Sequence, residues 1–160
     1  MAIKHTIIPH LWFDTNAEEA VNFYVTLFEN SKIGKVARYG DSGPGPKGRV
    51  MSIGFTLNGQ EFAAINGGPY FQFNEAVSFL IWCDTQDEID WLWDRLADGG
   101  APSKCGWIKD RFGLVWQVNY AGLPSVLSGD DAAASGRAMK AMMAMKKIDV
   151  QALKDAYAGK

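Results

Sequence analysis

Ile8-Pro9-His10-Leu11-Trp12-Phe13 runs directly into Asp14-Thr15-Asn16-Ala17-Glu18-Glu19-Ala20-Val21-Asn22-Phe23-Tyr24. The first piece is an apolar run of strand length. The second starts a helix, because Thr15 with Glu18, or Asn16 with Glu19, has the spacing of a reciprocal capping box. From there Ala17, Ala20, Val21, Phe23, Tyr24, Leu27 and Phe28 recur at helical spacing and form one broad apolar face. A strand therefore delivers a single imidazole, His10, among apolar neighbours. Such a histidine serves either as a half-buried hydrogen-bonded residue or as part of a site, and this stretch alone leaves both readings open.

Working outward, Asn30-Ser31 ends the helix and Ile33 to Tyr39 reads as a strand. The loop from Gly40 to Gly48 is too rich in glycine and proline to hold regular structure and is expected to be mobile. Val50 to Leu57 alternates as a strand, Asn58-Gly59 is a strong hairpin signal, and Gln60 to Asn66 returns as its partner. After Gly67-Gly68-Pro69 the order begins again. Val77 to Cys83 is an apolar run, Thr85-Gln86-Asp87-Glu88 offers a second capping box, and Ile89, Leu92, Trp93 and Leu96 continue to Gly99-Gly100. Short strands near Lys104 to Lys109 and from Leu114 to Tyr120, joined by a turn at Asp110 to Gly113, complete the second copy. Thr15 and Thr85 mark equivalent points, a period of about 70 residues that suits two fused modules. The expected fold class is α+β: paired βαβββ modules over residues 1–70 and 71–124, forming a curved mixed sheet with an open concave face. C-terminal helices over residues 125–160 complete one structural domain. Methionines 139, 142, 143 and 145 in that tail suit packing on its own chain, a dimer contact or a cofactor or partner groove.

With 160 residues, 48% of them apolar and 21% charged, the chain can build a full core, and its net charge of −2 does not favour a phosphate-tracking surface. No nucleic-acid partner is expected. Cys83 and Cys105 lack the number and spacing of a disulfide or zinc framework. The opening Met1-Ala2-Ile3-Lys4-His5-Thr6 has no long apolar segment behind its charge, so neither a signal peptide, a membrane span nor a membrane partner is expected, and the default location is cytoplasmic.

Two βαβββ modules side by side leave a concave face for a ligand, and strand alternation then selects its lining. If Leu11 and Phe13 face the helix, His10 and Trp12 face the hollow. In the strand closing the first half, Phe62, Ala64 and Asn66 are expected to turn in, with Ala63 and Ile65 packing outward. Glu61 would then point away from the hollow. In the second half Ser78, Leu80 and Trp82 are expected to face inward, as are Val115, Gln117 and Asn119. Four strands thus each offer one polar group, His10, Asn66, Ser78 and Gln117, between apolar walls, which is the composition of a small-molecule pocket. Cys105 stands beside Lys104 and Lys109, which favour a thiolate, and serves either as a nucleophilic or redox thiol or as a small buried packing residue. Asp110 suits a turn cap.

The βαβββ pair and the Ala17-Glu18-Glu19-Ala20-Val21-Asn22-Phe23-Tyr24 helix resemble the vicinal oxygen chelate superfamily, which includes glyoxalase I and the extradiol dioxygenases. Gly59-Gln60-Glu61-Phe62, Asn66-Gly67-Gly68-Pro69, the run from Cys105-Gly106-Trp107 to Trp116-Gln117, and the Met142 to Ala156 tail resemble its PhnB-like branch, often labelled 3-demethylubiquinone-9 3-methyltransferase. In metal-using members four inward His, Gln or Glu side chains hold an ion. By that resemblance His10 matches the first-strand ligand, Gln117 stands where the last strand usually supplies Glu, and Asn66 and Ser78 fall at the remaining places. Neutral Asn and Ser are weak ligands and no carboxylate remains, so a tight catalytic metal is not expected; any divalent ion would rest on His10 and Gln117.

The reading is a PhnB-like, glyoxalase-fold homodimer that binds a small organic molecule through His10, Trp12, Phe62, Asn66, Ser78, Trp82, Cys105 and Gln117. No catalytic residue is assigned. The alternatives are a metal-dependent lyase, isomerase or dioxygenase of the superfamily, and the labelled quinone methyltransferase. Against the last stands the absence of the glycine-rich first turn of a doubly wound nucleotide-binding sheet.

Overall fold

The computed structural model describes residues 7–160, so the opening residues on which the absence of a leader was argued lie outside it. The chain divides into two compact units, Met1–Gln72 and Phe73–Lys160. The first contains β1 (His10–Phe13), α1 (Ala17–Tyr24), β2 (Lys32–Arg38), β3 (Val50–Leu57) and β4 (Gln60–Asn66). The second contains β5 (Phe79–Cys83), α2 (Gln86–Ala97), β6 (Ala101–Pro102), β7 (Trp107–Lys109), β8 (Val115–Tyr120), α3 (Leu123–Leu127), α4 (Ala132–Ala144) and α5 (Val150–Ala158). Each unit has a four-stranded mixed sheet, ordered β1-β4-β3-β2 in the first and β5-β8-β7-β6 in the second, so the chain is α+β with C-terminal helices. No helix among the described residues is long and apolar enough to cross a membrane.

In the first unit β1 runs parallel to β4, with Leu11 opposite Ala64 and Phe13 opposite Asn66. Leu11, Phe13, Phe62 and Ala64 are buried, as are Ala17, Ala20, Val21 and Tyr24 of α1, so this face of the sheet carries the core. Phe62 stacks on Phe55 of β3 at 5.3 Å between ring centroids. The register corrects one expectation. His10 lies opposite Ala63 and Trp12 opposite Ile65, so Ala63 and Ile65 share the face of His10, while Phe62, Ala64 and Asn66 turn to the helix. Glu61 accordingly lies on the His10 side. Reading β4 one position out of phase exchanged every side chain between the two faces.

The start of α1 also differs from expectation. Asn16 is its N-cap, but no side-chain cap bond forms there; the Ala17 N–H donates instead to Asn66 Oδ1 at 2.9 Å, while Asn66 Nδ2 donates to the Val50 carbonyl at 2.9 Å. A buried asparagine thus ties the helix start to β3 and β4. The loop after β2 is held at its ends, with Tyr39 N–H donating to Arg49 O and Gly48 N–H to Tyr39 O, each at 2.9 Å. Tyr39 Oη reaches Asn66 O at 3.2 Å, and Arg38 pairs with Glu18 and holds its carboxyl below the usual range.

In the second unit the expected capping box forms: Thr85 Oγ1 accepts from Glu88 N–H, and Glu88 Oε2 accepts from Thr85 N–H, each at 3.2 Å. β5 runs parallel to β8 with Phe79, Ile81 and Cys83 opposite Trp116, Val118 and Tyr120. Cys83, Ile108, Trp116 and Val118 are buried with Ile89, Leu92, Trp93 and Leu96 of α2. Desolvation, with Glu88 and Asp84 nearby, pushes the Cys83 thiol up to about 11. The strand β6 was not foreseen, because two residues ending in a proline carry almost no strand signal; Pro102 fits there as part of an edge strand. Asp110 caps its turn as expected and does more: Oδ1 accepts from Phe112 N–H at 2.8 Å and Leu114 N–H at 3.0 Å, and Oδ2 accepts from Trp116 Nε1 at 2.9 Å.

Candidate functional site

On the face of the first sheet away from α1, β1 presents His10 and Trp12. His10 is exposed. The Trp12 indole lies over Gly67, where a Cβ would come within 2.3 Å of the ring, so no larger residue fits beneath it. Its Nε1–H donates to Gly68 O at 2.9 Å, and Phe71 meets it edge-on at 5.0 Å. The Gly67-Gly68 pair therefore seats a tryptophan. Asn66, by contrast, has both ends of its amide committed between α1 and β3.

On the face of the second sheet away from α2, Gln117 Nε2 donates to Ser78 Oγ at 2.8 Å. The two were expected to share a face, and the structure brings them into direct contact. Leu80 lies opposite Gln117 and Trp82 opposite Asn119 in the parallel pairing; Leu80 and Trp82 remain 45% and 49% exposed. On the other side of β8, Trp107 lies opposite Gln117 in the antiparallel pairing, which puts its indole on the same face. Trp107 is the residue that sequence reading missed. Its position was recoverable from the hairpin of β7 and β8, had that pairing been counted back from Gln117.

Cys105 is turned elsewhere. Its Sγ–H lies 3.6 Å from both the Met142 carbonyl oxygen and Met143 Sδ, at the end of α4. A surface cavity of about 560 Å³ also lies apart from these residues, where α2 begins, and is lined by Asp84, Gln86, Asp90, Lys147, Gln151 and Lys154 among others. Lys147 pairs with Asp90 at 2.7 Å, and Gln86 bonds Asp90, Ile148 and Val150, so much of its polar lining is already engaged. We read it as the seam between α2 and the tail.

The residues that the resemblance assigns to metal do not fit a tightly held divalent ion. Asn66 has no free oxygen on the His10 face, Gln117 is an amide bonded to a hydroxyl, and neither brings the negative charge that such ions need. Among the described residues no three His, Cys, Asp or Glu side chains gather as a possible metal site.

Residues 5–119 match the family model described as 3-demethylubiquinone-9 3-methyltransferase. Comparison with curated proteins gave no match. Among solved structures, the PhnB protein from Bacillus cereus is 39% identical with a TM-score of 0.69, over 73% of this chain and 100% of that one. A protein from Pseudomonas aeruginosa is 25% identical with a TM-score of 0.61, over 73% and 98%. A mutant of the fosfomycin resistance protein FosX from Listeria monocytogenes, complexed with Mn(II) and 1S,2S-dihydroxypropylphosphonic acid, shares the fold at 13% identity, with a TM-score of 0.54 over 76% and 94%. The chain belongs to the PhnB-like family, whose model is described as 3-demethylubiquinone-9 3-methyltransferase.

Proposed function

We propose that this protein binds a small, flat, largely apolar organic molecule without a tight catalytic metal, and that Gln117 and Ser78 give the guest its polar anchor. The observation that carries the reading is the 2.8 Å bond from Gln117 Nε2 to Ser78 Oγ on a face walled by Leu80, Trp82 and Trp107. That bond orients the pair. Gln117 Oε1 then accepts and the Ser78 hydroxyl donates, so a carbonyl or hydroxyl on an aromatic or aliphatic frame is the complementary chemistry. In the other unit, His10 and Trp12 line an open face of their own sheet. The reading includes a homodimer, which a light-scattering mass of one chain would remove.

A thermal-melt screen of organic ligands against wild type and Gln117→Ala tests the proposal. A compound that raises the melting temperature of wild type and not of the variant supports it. Hits that stabilise both proteins equally defeat it. Repeating the melt with Mn²⁺, Ni²⁺ or Zn²⁺ addresses the metal-dependent alternative: stoichiometric metal that is lost in His10→Ala would replace the first reading. The name of the matching family model supports a further alternative, methyl transfer to a quinone. Titration calorimetry with S-adenosylmethionine decides it, since absence of heat removes the methyl donor.

A further inference from the structure

The segment from Met142 to Val150 crosses the end of the second sheet and grips the hairpin that carries Trp107. The hairpin turn is Lys104 to Trp107, closed by Trp107 N–H donating to Lys104 O at 3.0 Å. Cys105 and Gly106 are both left-handed there, with φ of 56° and 79°. Their two amides point out of the hairpin and donate to Met145 O at 2.9 Å and Lys146 O at 2.8 Å. On the other side the Gly106 carbonyl accepts from Val118 N–H of β8 at 2.8 Å. The turn is thus held between β8 and the tail. A Cβ on Gly106 would lie 2.5 Å from Val118 O, 2.8 Å from Asn119 Oδ1 and 3.2 Å from Ile148 Cγ1, so the three layers meet with no room for a side chain.

Gln86 fastens the tail in place. Its Nε2 donates to Ile148 O at 3.1 Å and to Asp90 Oδ1 at 3.0 Å, and its Oε1 accepts from Val150 N–H at 2.9 Å. Ile148 between these bonds is fully buried, and Lys147 bridges to Asp90. The match to the family model ends at residue 119, so this segment lies outside the matched part of the chain.

We infer that the tail segment Met142 to Val150 is a clamp, locked by Gln86, that positions Trp107 beside Gln117 on the ligand face. Gln86 acts as a positioning residue through the tail, and the inference rests on the ligand-binding reading above. The chain of contacts is continuous: Gln86 to Ile148 and Val150, tail carbonyls to the 105 and 106 amides, and that turn to Trp107.

The test uses full-length protein labelled with 5-fluorotryptophan, without ligand, its fluorine resonances assigned by single Trp→Phe variants. In Gln86→Met the Trp107 resonance shifts or broadens while that of Trp12 stays in place. In parallel, Cys105 reacts with a disulfide reagent about tenfold faster, because two tail-fixing hydrogen bonds are gone. Cys83 is silent, being buried, and Cys105→Ser gives the blank. Faster Cys105 labelling with an unmoved Trp107 resonance overturns the inference, as does no change in either. If Gln86→Met does not fold, Lys147→Met loosens the same segment and is read in the same way. Titration with 8-anilinonaphthalene-1-sulfonate separates the two claims. Saturable binding that Gln117→Ala abolishes and Gln86→Met weakens supports both; probe binding unaffected by Gln117→Ala defeats the ligand reading and leaves the Trp107 measurement standing on its own.

Discussion

The two βαβββ copies solve the same structural problems by different means. Thr15 corresponds to Thr85, Trp12 to Trp82 and His10 to Leu80, yet only the second helix is capped by its own threonine and glutamate; the first borrows Asn66 from a strand 49 residues away. The hairpins differ in the same way. Asn58 and Gly59 turn the first with φ of 45° and 81°, whereas the second is pinned by the buried Asp110 through two backbone amides and an indole. The polar groups of the open faces are not duplicated either. Ala63 sits opposite His10 while Gln117 sits opposite Leu80, so one copy carries its polar group on the edge strand and the other on its neighbour. The frame is repeated and the chemistry is not.

The contrast between hairpins is open to the largest effect. Asp110→Ala removes three acceptor bonds and strands the Trp116 indole N–H in the core, a loss of about 4 kcal/mol; Asn58→Ala pays only left-handed strain, about 1 kcal/mol. Chemical denaturation of both variants measures the gap, and equal losses would erase the distinction. The helix starts come next. Asn66→Ala leaves Ala17 N–H and Val50 O unpaired and costs about 3 kcal/mol, against about 1 kcal/mol for Thr85→Ala. The reverse order would mean that the two helices are capped alike.

Gln117→Ala sharpens the contrast between the open faces, since it should lower stability by less than about 1 kcal/mol while abolishing ligand-induced stabilisation. The smallest effect concerns the tail. The Lys147 ammonium and then the Gln86 amide hold the Asp90 carboxyl below its ordinary 3.8. Because the folded value is the lower one, the contribution is present above pH 3.8 and is lost as pH falls through the folded value. The melting-temperature advantage of wild type over Asp90→Asn should therefore be small at neutral pH, an exposed pair giving under about 1 kcal/mol, and should vanish under acid. An advantage that grows on acidification would contradict the sign.

How much was legible in the sequence varied from residue to residue. Val50 to Leu57 and Gln60 to Asn66 were readable because alternation and Asn58-Gly59 are local signals, and both strands have those bounds. The Thr85 capping box was readable for the same reason. Gln117 and Ser78 could be placed on one face by counting along β8 and one residue back from the start of β5, and the structure joins them by a hydrogen bond. Asn66 could not be placed. Its apolar neighbours Ala63, Ala64 and Ile65 are interchangeable in pattern, so nothing local says which of them faces the helix. Trp107 was hidden because a three-residue strand carries no period of its own.

By itself, then, the sequence determined the repeated order of strands and helices, the second helix cap and the resemblance to the PhnB-like family, since each is written in neighbouring residues. Tertiary structure alone decided which face of β4 is buried, that Asn66 serves a helix rather than a guest, and that the tail turns Cys105 away while gripping the Trp107 hairpin. Those outcomes depend on strand register and on bonds between residues far apart in the chain. Pairing energy sets them, and no window of sequence contains both partners.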